Sequence, residues 1–339
     1  MKPHPASISD IAKALGVAPS TVSRALRDHP DISPATRNRI KEFAARVNYR
    51  PNALALGLKH QRSMTIGIVI PELVHFFFSS VLSGIEEVAY SKGYRVMICQ
   101  SADDLKREAL NVQALLDHQV DGMLISISKS TVEYGHLFQI VEREIPVVFF
   151  DRICDEIDSD RVLTDDFEAA RLVTSHLLQG SRKRILHLAA PQHLAIGRER
   201  YQGYLRALLD HDADTAEELV IHCDTPDKVR ELRERILGLA PTIDGVFAVN
   251  DITAITAMHL LQDAGYAVPE QIGIAGFGDD PISGMIRPGL TTVEQKGYDM
   301  GKSAVTMLLE RLERPEKEVP SRLEVFPATL KIRDSSRNL

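Results

Sequence analysis

Two sets of residues in this chain have types and spacing that could do chemistry. The first is Ser20, Thr21, Ser23 and Arg24, hydroxyls and a guanidinium held within one short stretch. Facing outward from a helix, such hydroxyls can hold phosphate oxygens, and an arginine can grip guanine O6 and N7 with two parallel bonds. The second set is scattered: Phe76-Phe77-Phe78, Asp151-Arg152 and Asn250-Asp251, each following a β-branched apolar run. Aromatic faces can cover the C–H surfaces of a sugar while carboxylate, amide and guanidinium groups chelate its hydroxyls, so this set suits a polyhydroxyl ligand.

The first set needs helices to present it. Ile8, Ile11, Ala12 and Leu15 recur at helical spacing, Ser7 is a capping residue, and Asp10 lies in the first turn, where the helix dipole favours an acid. Gly16 suits a tight turn. Pro19 fits the first position of a second helix with Val22, Ala25 and Leu26 inward, which leaves Ser20, Thr21, Ser23 and Arg24 outside. This is a helix-turn-helix pattern. Ser33-Pro34 opens a third helix that turns Ile40, Phe43, Ala44 and Val47 inward and ends near Arg46 or Val47. Arg37, Arg39, Lys41, Arg46 and Arg50 surround this small core as cations for a sequence-independent phosphate grip. Charge is partitioned accordingly. The first 62 residues hold 11 Lys and Arg against 4 Asp and Glu, and the remaining 277 hold 29 against 43, so a head of about +7 joins a body of about −14.

From Ser63 the pattern changes. Short apolar runs at Met64 to Ile70, Tyr94 to Cys99, Gly122 to Ile125, Pro146 to Phe150, Arg184 to Ala189, Leu219 to His222, Gly245 to Val249 and Ile272 to Phe277 are mostly separated by helix-length segments. That alternation predicts parallel sheets with crossover helices, an α/β architecture. About 275 residues exceed one such core, so two lobes are expected, with ligands beyond the carboxyl ends of the strands.

The stretch from Asp10-Ile11-Ala12 through Val22-Ser23-Arg24, followed by Ser33-Pro34-Ala35-Thr36-Arg37 and Asn48-Tyr49-Arg50-Pro51-Asn52-Ala53-Leu54-Ala55, resembles the lactose-repressor (LacI/GalR) family of bacterial transcription regulators. The likeness covers essentially the whole chain. It implies a helix-turn-helix DNA-binding domain at 1–50, a hinge helix or linker at 51–62, and an effector-binding and dimerisation domain at 63–339. That last domain would resemble periplasmic sugar-binding proteins, with lobe 1 at about 63–163 and 294–324 and lobe 2 at about 164–293 and 325–339. The chain would cross between them near Leu163, Val293 and Glu324.

The resemblance also assigns residues. Pro19, Ser20, Thr21, Ser23, Arg24, Asn52 and Ala53 form the implied DNA-binding set, and Leu58 matches a hinge leucine pushed into the minor groove as a wedge. Pro19 and Ser20 can read bases only modestly, which leaves Arg24 for base contact and Thr21 and Ser23 for phosphates. In the body, Phe77, Phe78, Asp151, Arg200, Asn250 and Gln295 match effector-binding positions, although Phe77 and Phe78 also suit a core. Three positions depart from the family pattern. Ala18 replaces a capping serine before the second helix, and Thr225 stands where several relatives carry a stacking aromatic. Gly278 stands where a ligand aspartate is usual, so either Asp279 substitutes by a one-residue shift or the effector lacks the hydroxyl pair which that aspartate holds.

Catalytic patterns are weak. Gly301-Lys302-Ser303 lacks the leading glycine of a phosphate loop, since that place is Lys296, and Gly276-Phe277-Gly278 lacks the third glycine of a dinucleotide fingerprint at Pro281. No nucleophile elbow or zinc-protease helix occurs, and Cys99, Cys154 and Cys223 stand isolated, as in a reducing cytoplasm. No export or membrane signal is evident, which argues against an exported sugar-binding receptor. The expectation is therefore a cytoplasmic, nucleoid-associated regulator with no catalytic activity, metal or cofactor. It would bind a pseudo-palindromic operator in double-stranded DNA as a homodimer, as a repressor or alternatively as an activator, and answer to a sugar or sugar derivative, as inducer or as corepressor.

Overall fold

The computed structural model describes residues 6–47, 49, 62–180, 182–314 and 320–337. They fall in two compact units, one within Met1–Ser63 and one comprising Met64–Leu339. Arg50, Asn52, Ala53 and Leu58, with nearly all of the expected hinge at 51–62, lie outside the described residues.

The first unit holds three helices, α1 (Ile8–Leu15), α2 (Pro19–Leu26) and α3 (Pro34–Arg46). At the start of α1 the Ser7 hydroxyl accepts the Asp10 N–H at 3.2 Å while the Asp10 carboxylate accepts the Ser7 N–H at 2.8 Å, a reciprocal capping box. Gly16 closes α1 in the left-handed region at φ +67°, which its missing Cβ allows without strain. Ala18 caps α2 with no side-chain bond, whereas the Ser33 hydroxyl accepts the Thr36 N–H at the start of α3. Ile11, Val22, Ala25 and Ile40 are buried at the centre, with Leu26, Phe43 and Val47 packed around them.

The second unit contains the strands β1 (Thr65–Ile70), β2 (Arg95–Gln100), β3 (Gly122–Ile125), β4 (Val147–Phe150), β5 (Asp160–Thr164), β6 (Ile185–Ala189), β7 (Val220–His222), β8 (Gly245–Ala248), β9 (Gly273–Ala275), β10 (Thr292–Glu294), β11 (Leu323–Phe326) and β12 (Thr329–Lys331). One sheet runs β11-β5-β4-β3-β1-β2 and another β7-β6-β8-β9, with every pairing in both parallel. β10 and β12 form a separate antiparallel pair. Parallel strands require crossovers, and within the sheets these are supplied by α4 (Phe76–Ser91), α5 (Leu105–Asp117), α6 (Gly135–Glu142), α8 (Ala195–Asp210), α9 (Pro226–Glu231), α10 (Arg233–Leu239) and α11 (Asp251–Asp263), while α7 (Asp166–Leu177), α12 (Ile282–Met285) and α13 (Gly297–Glu313) stand on the connections between sheets.

Each sheet centres its own lobe, and the chain passes between the lobes three times. It leaves the larger sheet after Thr164 into α7, returns through Gln295 and Lys296 into α13, and leaves again between β11 and β12. α13 is anchored on the first lobe by Met300, Ala304, Val305 and Leu308, which share a core with α4. Gly84 and Gly301 let these two helices approach closely, because a Cβ on either would collide with a carbonyl of the other helix. Gly301-Lys302-Ser303 is thus an interior turn of a packed helix and no phosphate loop. The lobes also meet directly: Leu194 and Ile196 of the second lobe pack among Leu137, Ile153, Cys154 and Ile157 of the first.

Candidate functional site

In the first unit, α2 turns Val22 and Ala25 into the core and leaves Pro19, Ser20 and Arg24 exposed, with Thr21 and Ser23 half-buried. The guanidinium of Arg24 lies 4.0 Å from Asp31, a loose surface pair that leaves it free to turn outward. Other cations are committed internally. Lys41 binds both oxygens of Asp28 at 2.6 and 2.8 Å, Arg37 donates to the His29 and Ile32 carbonyls, and Arg39 donates to the Leu15 carbonyl. These three residues staple the head together, so less of its positive charge is available for phosphate than composition suggests. Lys13 and Arg27 are exposed and make no ion pair with a described residue.

In the second unit, a cavity of about 580 Å³ opens between the lobes at the carboxyl ends of the strands. It gathers Phe77, Phe78, Asp151, Arg200, Asn250 and Gln295 from five separate segments. Arg200 is fixed on three sides. Its Nε donates to Asp166 and its Nη1 to the Val249 carbonyl, each at 2.7 Å, while Cζ lies 3.7 Å from the centroid of the Phe277 ring. A guanidinium stacked on an aromatic face and bonded along one edge is held as a planar fork. Burial pushes Asp166 up to about 6 despite this partner. Asp151 follows β4 in the left-handed region at φ +59°, and burial raises its carboxyl pKa against the pull of Arg152 and Arg200.

Asn250 is half spent on structure, since its Oδ1 caps α11 at the Thr253 N–H and its Nδ2 donates to the Asp224 carbonyl. Gln295 donates to Thr164 Oγ1 at 3.1 Å, bridging two of the interlobe crossings. Phe78 is both core and cavity wall. It is 3% exposed, stands edge-on to Phe77 at 5.3 Å between centroids, and has the Arg152 guanidinium over its ring.

Asp279 does not line this cavity. Its carboxylate accepts from Arg333 Nη2 at 2.6 Å, and it faces a second, more open cavity on the hinge side. Gly278 sits at φ +130°, a conformation that L side chains rarely adopt, so this backbone does not suit an aspartate there. Asp251 and Asp280 line the main cavity in this region instead. Asp251 is buried and accepts from Thr292 Oγ1, the Asp280 N–H at 2.7 Å and Ser283 Oγ at 2.9 Å. Burial nevertheless lifts it to about 6. Gly276 makes room for it, because a Cβ there would strike the Asp251 carboxylate.

Sequence reasoning missed a second polar shell. Lys129 lies 2.9 Å from Asp224 of the other lobe and 3.4 Å from Asp103, and Arg152 holds Asp103 at 2.5 Å. Burial opposes ionisation of Asp103 and Asp224, yet these cations hold both carboxyls below the ordinary value. Lys129 and Asp224 each follow a strand foreseen from sequence, so the strand-end rule could have found them; Asp166 follows β5, which was not foreseen. Thr225 also lines the cavity and caps α9, accepting the Lys228 N–H at 3.3 Å.

Comparison with known proteins agrees with this geometry. Residues 7–52 match the family model described as bacterial regulatory proteins, lacI family, and 174–336 match that of a periplasmic binding protein-like domain. The chain is 30% identical over 329 residues to the ribose operon repressor of Halalkalibacterium halodurans, covering 95% of this chain and 97% of that protein. The chain belongs to the lacI family. As a lacI-family protein it is a DNA-binding transcriptional regulator under the control of a small effector, and the enzyme readings fall away. Solved structures repeat its architecture. The complex of the transcriptional regulator CelR with cellobiose has a TM-score of 0.72 at 26% identity, covering 97% of this chain and 99% of that one. The lac repressor dimer bound to operator and the anti-inducer ONPF superimposes with a TM-score of 0.83 at 23% identity over 98% and 99%, a likeness of fold. Among the described residues no helix is long and apolar enough to cross a membrane.

Proposed function

We propose that the interlobe cavity is the effector site of this lacI-family regulator and that its ligand is a polyhydroxyl compound of the sugar class. The observation that carries the reading is Arg200, locked by Asp166, the Val249 carbonyl and the Phe277 face inside a cavity that also presents Asp151 and Phe77. A planar donor fork, a buried carboxylate and an aromatic face are the parts needed to bind vicinal hydroxyls and a C–H surface together. Asn250 and Gln295 contribute from the rim, and Asp251 takes the place assigned to Asp279. The names of the ribose operon repressor and the cellobiose complex support the same ligand class.

On this reading the protein acts in the cytoplasm at the nucleoid, as a homodimer on a pseudo-palindromic operator, and represses. The head spans 1–50 and a hinge spans 51–62, with Asn52 and Ala53 on DNA and Leu58 as the minor-groove wedge. The effector domain is 63–339, with lobe 1 at about 63–163 and 294–324 and lobe 2 at about 164–293 and 325–339. Thr21 and Ser23 hold phosphates, and Arg24 reads a base beside Pro19 and Ser20. Effector and operator are then linked reciprocally, each changing the affinity of the other by the same factor. The test is enrichment of randomised duplex DNA on the purified protein, with and without a panel of sugars. An enriched palindrome that one sugar erases or sharpens is the expected result and reveals the sign of control, whereas enrichment indifferent to every sugar would refute the ligand assignment.

A further inference from the structure

We propose that the effector carries no negative charge, and that the cavity excludes sugar phosphates and sugar acids by its own electrostatics. This rests on the reading of the interlobe cavity as the effector site.

The cavity lining contains three cations, and each is already matched by a carboxylate. Arg200 is bonded to Asp166, Arg152 to Asp103, and Lys129 lies between Asp103 and Asp224. Asp224 also takes Lys228, so the lysines and arginines around it are shared among acids and none faces the cavity alone. Against these three cations the lining sets six carboxylates. Among the described residues, Glu72, Asp251 and Asp280 have no lysine or arginine partner at all. Asp251 is satisfied by neutral donors only and is 3% exposed.

A site for a phosphate or carboxylate requires the opposite arrangement, with guanidinium or ammonium groups left in excess and pointed at the ligand. Here an anionic effector would enter a field with a formal excess of three negative charges among the lining residues. It would also find the charge of Arg200, Arg152 and Lys129 already neutralised by Asp166, Asp103 and Asp224, with which it would have to compete. A neutral polyol meets neither obstacle. It can accept from Arg200 and donate to Asp151 without breaking an existing pair, and an ammonium-bearing polyol gains from the surplus acid.

Titration calorimetry on the full chain with matched compounds tests this. Ribose, glucose and cellobiose would be compared with ribose 5-phosphate, glucose 6-phosphate, glucuronate and cellobionate, and glucosamine would serve as the cationic member. The expected result is that a neutral sugar binds and its anionic congener binds weaker by about a hundredfold or more, while an ammonium on the same frame is tolerated. In Asp224→Asn, which releases Lys129 and Lys228, that gap should shrink by about tenfold. An anionic congener binding the wild-type protein as tightly as its neutral parent would overturn the inference and leave the effector site standing. Silence from every compound would instead bring down the polyhydroxyl reading on which the inference depends.

Discussion

Arg200 and His187 show how burial sets the behaviour of single groups in the second lobe. Arg200→Ala removes the fork from the cavity and leaves Asp166 without a cation, and because burial already raises Asp166 to about 6, losing Arg200 favours its protonated form. Effector binding measured by calorimetry should fall at least about a hundredfold while operator affinity is kept, since truncating one partner of a buried pair commonly costs about 2–5 kcal/mol. At the other end of the protein, Arg24→Ala should lose about 1–3 kcal/mol on the best operator and little on random DNA in a gel-shift series. His187 is fully buried between Tyr204 and Phe247, and burial lowers it from 6.5 to about 4. The native state therefore holds it neutral. Its contribution is complete above pH 6.5 and is lost as pH falls toward 4, amounting to about 2 kcal/mol between pH 7.5 and 5.0. Asp166 and Asp251, raised to about 6, run the other way, each gaining about 1.4 kcal/mol over the same interval. Urea unfolding of wild type and His187→Phe at both pH values isolates the histidine: the variant should gain about 2 kcal/mol relative to wild type on acidification, and parallel profiles would contradict its neutral state.

Among the elements, those with strong local signals were legible in the sequence. The capping box of α1, the proline starts of α2 and α3, and the runs that became β1 to β4 and β6 to β9 all carry cap, periodicity or β-branched signatures. Two members of the larger sheet do not. β5 begins with Asp160-Arg161, and β11 is largely exposed at the sheet edge, so neither offers an apolar run. Besides the parallel ladder, charge ties this edge down, with Asp160 fully enclosed by Arg311 and Arg322 and its carboxyl pulled down to about 2. Such pairing across about 150 residues of sequence has no local pattern. The candidate site divides the same way. Asp151 and Asn250 stand at visible strand ends, whereas Asp166 and Asp103 acquire meaning only through partners distant in sequence. One helix also tests local chemistry directly. α2 lacks a side-chain cap at Ala18, so Ala18→Ser should stabilise it by about 1 kcal/mol. Amide exchange across residues 19–26 should slow about fivefold, and unchanged exchange would mean that the serine forms no cap.

At the scale of the whole molecule, the three passages of chain between the lobes, at Thr164, at Gln295 and between β11 and β12, are the places about which a hinge closure would turn. Closure and opening can then alter how two head domains are presented to one operator. The assembly expected on this basis is a dimer, whose two-fold symmetry matches that of a pseudo-palindromic operator. Sedimentation at micromolar concentration should give twice the monomer mass, and four times that mass would refute it.

The same passages order events during synthesis. The larger sheet is not complete until β11, residues 323–326, emerges beside β5, whereas the helices of the head end at residue 46. At a translation rate of about 5–20 residues per second, roughly 15 to 55 s separate the two. Every newly made copy thus passes through an interval in which its DNA-reading helices exist and its effector domain does not. The timing of control over a single molecule is written into the order in which its sheet is assembled.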